Sequence, residues 1–406
     1  MSNITFNSFS QPLLLDQMIK HHFHENNFPP PNLLCEISRD SPLLRQPIDA
    51  KPIHISDFWL DRQRNVNIGR EAFKYYDHQS FASKKKLDFN LSDGIATFDP
   101  RPLDEGLTNI LSYILKITQP NTSLKQAVSN ADFVCFRGTL TDLALTPYSK
   151  NDTGFKFVIL KFHGVFFIMQ LDTDAILEER AKGSTRLKRL TYWGQKFETF
   201  IFAAKGEIPD TKSPVSTWIE TLGCFSMTLS PRTLERPLNV FYVAEVDGLD
   251  KSTGKYIEAK TTTKVDFTKP YAAKKSLRWW IQSYFAGIDK IILGTRSYNG
   301  IVKKLEWIKL RDIQHKYRLH WDPNVCMQSV YRILESVRNF YDRNVENGEM
   351  LVIERKPNSK SIHSSKVSAK KYPVLSSEFC KLFDRGQANP QSFNQGESWR
   401  PKKEKL

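Results

Sequence analysis

The chain has 406 residues, of which 40% are hydrophobic and 25% charged, the composition of a folded globular protein and not of a disordered or fibrous one. Lysine and arginine total 59 against 44 acidic residues, a formal charge of +15, and such an excess favours a polyanionic partner because cationic side chains on phosphates release condensed counterions. There is no run of about 18 apolar residues, no basic start followed by an apolar leader, and no CxxC or Cys/His zinc spacing among Cys35, Cys135, Cys224, Cys326 and Cys380, so the expectation is a soluble nuclear or cytosolic protein with free thiols and no membrane partner.

In chain order, residues 1–50 are polar and Pro-containing and are expected to form a partly ordered lead-in. The histidines at His21, His22 and His24 lie there without acidic or Cys companions and suit a surface stretch better than a metal site. Basic residues also fall inside apparently folded segments, as at Lys84, Lys85 and Lys86 and at Lys274 and Lys275. LDEGLTNILSYILKIT spaces Leu107, Ile110, Leu111, Ile114 and Leu115 as a helix. FKFVILKFHGVFFIMQL is two β-rich runs around His163 and Gly164, a hairpin. LKRLTYWGQKFETFIFAA is helical, with a stripe through Leu190, Trp193, Phe197 and Ile201. NVFYVAEVDGLDKSTGKYIEAKTT predicts a second hairpin, SLRWWIQSYFAGI an amphipathic helix, KIILGTRSYNGIVKKLEWIKL a third hairpin turning at Asn299-Gly300, and PNVCMQSVYRILESVRNFY a final long helix. Hairpins interleaved with helices imply a mixed sheet. Residues 386–406, rich in Gln, Asn, Pro and Lys, are expected to be a flexible tail.

The second hairpin carries the chemistry. On a strand, residues two apart share a face, so Glu245 pairs with Asp247, and Glu258 with Lys260. In the simplest register three carboxylates and an ammonium meet on one surface. Clustered carboxylates repel, and a hard divalent cation such as Mg²⁺ relieves that repulsion while leaving positions for water and phosphate oxygens; Lys260 then steadies an attacking water or the charge growing on phosphorus. The plainer reading is an exposed hairpin with alternating faces, since short motifs match by chance. Glu198 lies at the edge of its helix's apolar stripe, with Gly194 one turn earlier leaving space over the carboxylate; a boundary Glu beside a packing glycine is the alternative. Gln282 sits at the margin of its helix's buried face (Leu277, Ile281, Tyr284 and Ile288), able to position water or phosphate or simply to be solvated. Arg137 ends an apolar run before Gly138, a placement that suits either a bidentate phosphate contact or a structural salt bridge. No GxSxG nucleophile motif and no P-loop is present.

The same residues carry a family resemblance. LSDGIATFDPRP, ADFVCFRGTLTDLALTPY, YWGQKFETF, AEVDGLD, YIEAKT, SLRWWIQSYFAGI, LGTR and WDPNVCM occur in the order and rough spacing of the DXO-type decapping exoribonucleases and their fungal relatives, from about residue 55 to about 385. The resemblance implies a single α/β domain over 51–385 with two mixed β-sheets flanked by helices, its core similar to the Asp…Glu-x-Lys metal-dependent nucleases. It implies two divalent cations, Mg²⁺ or Mn²⁺, bound by Glu198, Asp247, Glu258 and the Ala259 carbonyl, with Glu245 helping through water. It sets Lys260 and Gln282, with Glu198, beside the attacking water or scissile phosphate, and Arg137 on the substrate phosphates. The implied activity is removal of defective or non-standard RNA 5′ ends (incompletely methylated caps, triphosphates, nicotinamide-dinucleotide caps), followed by 5′-to-3′ degradation of single-stranded RNA, by a monomer in the nucleus. Where many members have an aromatic, a Leu and GFR, this chain has Gln195, Ala259 and Gly294-Thr295-Arg296. A non-catalytic partner that stimulates a nuclear 5′-to-3′ exoribonuclease and a DNA nuclease of the same core are the competing expectations.

Overall fold

The structure, a computed structural model, describes residues 32–82, 87–102, 104–150, 152–183, 185–263 and 269–384. The expected tail at 386–406, the lysines at 84–86 and the histidines at 21–24 lie outside the described residues. Sixteen strands occur among them: β1 (Asn32–Glu36), β2 (Ile48–Leu60), β3 (Val66–Ile68), β4 (Tyr75–Tyr76), β5 (Phe89–Asn90), β6 (Phe133–Phe136), β7 (Phe155–Phe162), β8 (Val165–Leu171), β9 (Glu220–Pro231), β10 (Leu238–Glu245), β11 (Gly248–Asp250), β12 (Tyr256–Thr263), β13 (Lys290–Arg296), β14 (Ile301–Lys309), β15 (Glu349–Arg355) and β16 (Ser361–Ser368). They form a ten-stranded sheet in the order β1-β16-β15-β7-β8-β6-β10-β9-β2-β3 and a six-stranded sheet in the order β4-β11-β12-β13-β14-β5. Both are mixed, with β6 parallel to β8 and β10, and β12 parallel to β13. Residues 32–50, read from composition as a lead-in, supply β1 and the start of β2.

The first and third expected hairpins form. β7 and β8 pair from Lys156↔Leu171 to Phe162↔Val165, and His163 (φ 44°) with Gly164 (φ 76°) makes the left-handed two-residue turn that matches strand twist. β13 and β14 pair antiparallel across Gly300 (φ 85°). The second hairpin requires correction. β10 lies in the large sheet between β6 and β9, whereas β12 lies in the small one; of the first arm of the expected hairpin only the short β11 pairs with β12, at Gly248↔Ile257 and Leu249↔Tyr256. The chain changes sheets at Val246 and Asp247. Glu245 and Asp247 therefore belong to no common strand face, and the acidic residues stand on a seam between layers.

β6 and β10 are covered on both sides, as central strands of a large sheet must be. Phe133, Cys135, Val240 and Tyr242 join one apolar cluster and Val134, Phe241 and Val243 the other. The first cluster includes the helices Arg137–Leu145, Pro270–Phe285 and Pro323–Asn344, where Leu140, Leu143, Ile281 and Val330 are fully buried. The expected helix at the last of these is present, but it is not final: β15, β16 and a helix at Ser377–Asp384 follow. Helix Thr185–Ile201 lies against the small sheet. Its buried residues are Tyr192, Trp193, Lys196, Phe197, Phe200 and Ile201, while Leu190, expected in the stripe, is 37% exposed. All five cysteines are free, and among the described residues no helix is long and apolar enough to cross a membrane.

Candidate active site

Helix Thr185–Ile201 is set onto the small sheet by rings that land on glycines. A Cβ at Gly294 would fall 2.5 Å from Phe197 Cε2, one at Gly300 2.6 Å from Trp193 Cζ2, and one at Gly248 2.4 Å from Phe202 Cδ1. Only hydrogen fits beneath these rings, so the helix approaches the sheet closely and delivers Glu198, next to Phe197, to the seam. Gly194 plays the other part: a Cβ there meets nothing within 4 Å, the open space expected one turn before Glu198. Gly294→Ala is expected to cost about 1–3 kcal/mol through overpacking and to lower turnover by displacing Glu198. Gly194→Ala should be neutral or stabilise by up to about 1 kcal/mol from helix propensity. Melting curves and initial rates on the two variants check both.

The acidic groups respond to one another. Burial, then the charges of Asp247 and Glu245, push the Glu198 carboxyl well above the ordinary range, against Lys260 and Lys74. Burial and the Glu258 charge push Asp247 up to about 7, opposed by Lys260 and the Ala259 N–H, which donates to Asp247 Oδ2 at 2.8 Å. Burial would raise Glu258 too, but Lys260 and Arg137 outweigh it and hold that carboxyl low. Glu258 is 1% exposed; its Oε1 accepts from Lys260 Nζ and its Oε2 from Arg137 Nη1 at 3.4 Å. Lys260 is raised in return, burial being outweighed by Glu258 and Asp247.

Glu198, Asp247, Glu258 and Lys260 thus converge from a helix, the sheet crossing and β12. Glu245 ends β10 exposed, its charge reaching both Glu198 and Asp247. Arg137 opens its helix instead of closing a strand, and it makes the salt bridge of the two readings: it is paired with Glu258, and its Nη1 also reaches the Gln282 carbonyl at 3.5 Å. Gln282 is half-buried on helix Pro270–Phe285, two turns after Lys275. Ala259, 7% exposed, has its N–H committed to Asp247.

The donor set is all oxygen, as a hard divalent cation prefers, and the elevation of both Glu198 and Asp247 marks a place where negative charge is under-compensated. Among the described residues no three His, Cys, Asp or Glu side chains stand close enough to hold a metal as placed, and Glu258 turns its two oxygens to Lys260 and Arg137. The residues fit a divalent cation by the chemistry of the donor set, and to hold one Glu258 would exchange those partners for it.

Sequence reasoning missed a neighbouring ion network. Arg64 Nε and Nη2 donate to Glu105 at 2.6 Å each, Arg64 Nη2 also reaches Glu220, and Arg101 Nη2 lies 2.6 Å from Glu220 Oε1. Burial and the Glu245 charge raise Glu220, against Arg101 and Arg64. These partners are up to 156 residues apart, beyond any local pattern; the one clue was Glu105 beside Arg101 in the DPRPLDEG stretch.

Two mixed layers with Asp247, Glu258 and Lys260 on the seam define a nuclease core of the Asp…Glu-x-Lys class. The chain belongs to the RAI1-like PD-(D/E)XK nuclease family, whose model matches residues 50–380. It is 30% identical over 340 residues to the Decapping nuclease dom-3 of Caenorhabditis elegans, covering 81% of this chain and 84% of that protein. It is 29% identical to the Decapping and exoribonuclease protein of Xenopus laevis, covering 81% and 88%. In fold it resembles Candida albicans Rai1 crystallised with pU5-Mn²⁺, at a TM-score of 0.66 and 16% identity, covering 87% of this chain and 99% of that one.

Proposed function

We propose that this protein is a Mg²⁺- or Mn²⁺-dependent hydrolase that removes incomplete or non-canonical RNA 5′ ends (unmethylated caps, triphosphates, nicotinamide-dinucleotide caps) and then degrades the exposed single strand 5′ to 3′. The observation that carries the reading is the convergence of Glu198, Asp247 and Glu258 on Lys260, in a chain whose relatives are named decapping nucleases. The pU5 and Mn²⁺ recorded with the Candida albicans protein agree with it. A bound divalent cation supplies Lewis acidity and a water of lowered pKa at the phosphorus. The chain's residues do the rest. Glu198, Asp247 and Glu258, with the Ala259 carbonyl, would hold the cation, and Glu245 would help through water. Lys260, kept protonated by Glu258 and Asp247, offers N–H donors to the charge that grows on the phosphate oxygens. Arg137 would meet a phosphate oxygen if Glu258 turned to the cation, and Gln282, whose carbonyl lies 3.5 Å from Arg137 Nη1, offers an amide to align water. We take the chain to act as a nuclear monomer; the fully formed Glu258–Lys260 pair weighs against a purely stimulatory, non-catalytic partner of another exoribonuclease.

The test is one assay. Purified protein is incubated with RNAs bearing monophosphate, triphosphate, unmethylated-cap and dinucleotide 5′ ends, with Mg²⁺ or Mn²⁺ and with EDTA, and the released small molecule is identified. At least one 5′ end is expected to be removed with metal and none with EDTA. Turnover that persists in EDTA, or no turnover of any end, ends the proposal.

A further inference from the structure

Asp57 is a buried carboxylate, 8% exposed, that takes no part in the chemistry above. It lies on β2 of the large sheet, yet two of its three partners lead to the small one. Tyr256, at the start of β12, donates its hydroxyl to Asp57 Oδ1. Arg70 donates its Nε–H to Oδ2 at 2.5 Å and, through Nη1, makes a second bond at 3.2 Å to the carbonyl of Gly254, in the turn that leads into β12. The third partner is His54, whose Nε2 stands 3.2 Å from Oδ1. Burial opposes ionisation of Asp57, but His54, Tyr256 and Arg70 outweigh it and hold the carboxyl below its ordinary range. A buried carboxylate bound in this way keeps its geometry, because each lost bond leaves charge unpaired away from water.

The place where this clasp closes bears on Glu258. Asp57 is opposite Gly223 in the β2–β9 register, and Gly223 is opposite Ala244 in the β9–β10 register. One row across the large sheet therefore runs from Asp57 to the residue before Glu245. A Cβ at Gly223 would fall 3.0 Å from Tyr256 Oη, so the bare glycine lets the phenol reach across β9 to Asp57. Tyr256, Glu258 and Lys260 alternate onto one face of β12. Pairing with β11 and β13 holds β12 within its own sheet but not against the other layer. Two polar ties do that: Tyr256 to Asp57, and the Ala259 N–H to Asp247 Oδ2 at 2.8 Å. Glu258 lies between them.

We propose that Asp57 is a positioning residue for the hydrolysis: through Tyr256, and through Arg70 on Gly254, it sets where β12 stands against the large sheet and so where Glu258 and Lys260 meet Asp247 and Glu198. It touches neither substrate nor reacting atoms. The inference rests on the hydrolase reading above for the reaction that it serves. A displacement of about 1 Å at a group that acts on the reacting centre costs roughly 10²-fold in rate. Tyr256→Phe keeps the ring over Gly223 and removes only the hydroxyl, so it costs less than removal of the carboxylate.

The experiment uses the full chain, with Asp57→Ala, Asp57→Asn and Tyr256→Phe. Asp152→Ala, which breaks a buried ion pair at the end of β15, four strands from β10, controls for lost stability. Melting curves fix a temperature at which every variant is folded. There, Mn²⁺ affinity is measured by equilibrium dialysis without substrate, and kcat and KM on the 5′ end that the wild type removes. Asp57→Ala is expected to weaken Mn²⁺ binding about 10-fold at unchanged stoichiometry and to lower kcat about 10- to 100-fold, with KM within about twofold. Asp57→Asn still accepts from Tyr256 and should recover part of both losses. Tyr256→Phe should lose about 3- to 10-fold in each, and Asp152→Ala should match the wild type. A folded Asp57→Ala with wild-type Mn²⁺ affinity and kcat overturns the role, as does an Asp152→Ala that falls equally. Should Asp57→Ala not fold, Tyr256→Phe decides in the same way. A wild type that binds Mn²⁺ but removes no 5′ end ends the hydrolase reading, while the affinities still decide on Asp57. A wild type that does neither ends both.

Discussion

Glu258→Gln and Asp247→Ala are each expected to abolish turnover while leaving RNA binding largely intact. Glu258 is the point where the site's charges meet: Lys260 and Arg137 both donate to it, and its charge raises Asp247. The Gln variant keeps the shape and removes the negative charge, so Lys260 and Arg137 are left without their acid and the cation loses a ligand. Asp247→Ala removes the group that receives the Ala259 N–H at 2.8 Å and so loosens β12 where it meets the seam. Rates should fall by about 10³-fold or more, the scale of several kcal/mol of transition-state charge stabilisation. Binding of 5′-phosphorylated RNA in EDTA should change by no more than about threefold, because these residues repel phosphate in the absence of a cation. Single-turnover rates with Mg²⁺ against anisotropy titrations separate the two effects; a variant that cleaves at the wild-type rate with Mg²⁺ would falsify the site assignment.

The second large effect concerns stability. Arg355 ends β15 with 3% of its side chain exposed, facing Asp152, whose Oδ2 accepts from Arg355 Nη2 at 2.5 Å. Asp152 also receives the Asn358 N–H at 3.0 Å. Asp152→Ala leaves a buried guanidinium with only the Lys356 and Ser359 carbonyls and is expected to cost about 3–5 kcal/mol, seen as a lower urea midpoint and melting temperature. Burial opposes ionisation of Asp152, but Arg355 and the Asn358 N–H outweigh it and bring its pKa down to about 2. A depressed carboxylate contributes stability that is present above its unfolded value near 4 and lost as pH falls through about 2. Wild-type stability should therefore decline through that window by an increment that Asp152→Ala lacks. Equal acid sensitivity in both proteins would remove Asp152 as its source.

Local order was legible where local chemistry decides it. His163-Gly164 between two β-rich runs, Asn299-Gly300, and the apolar spacing of Leu277 and Ile281 are each read within a few residues, and each element forms as expected. The acidic motif was legible as a motif and misread as a shape. Alternation says that β10 and β12 are strands, but it cannot say that β10 takes its partners from β6, more than 100 residues earlier, and β9, while β12 takes β13. The site survives that error because Asp247 sits at the crossing itself. β9 was not read at all: Ser226, Thr228 and Ser230 dilute its apolar content, and its strength comes from pairing with β2 along twelve positions. Nor could spacing reveal that Glu198, about 50 residues before Asp247, would face it; that depends on rings settling over Gly294, Gly300 and Gly248.

The crossing at Val246 and Asp247 bears on how the protein matures. A nascent chain acquires Glu198 some 60 residues before the ribosome has added Glu258 and Lys260, and the large sheet needs β16, near residue 365, to seat β1. Truncated translation products therefore lack a competent centre even when they contain every acidic residue up to Asp247. Degradative power against RNA arrives only when both layers have been synthesised and joined.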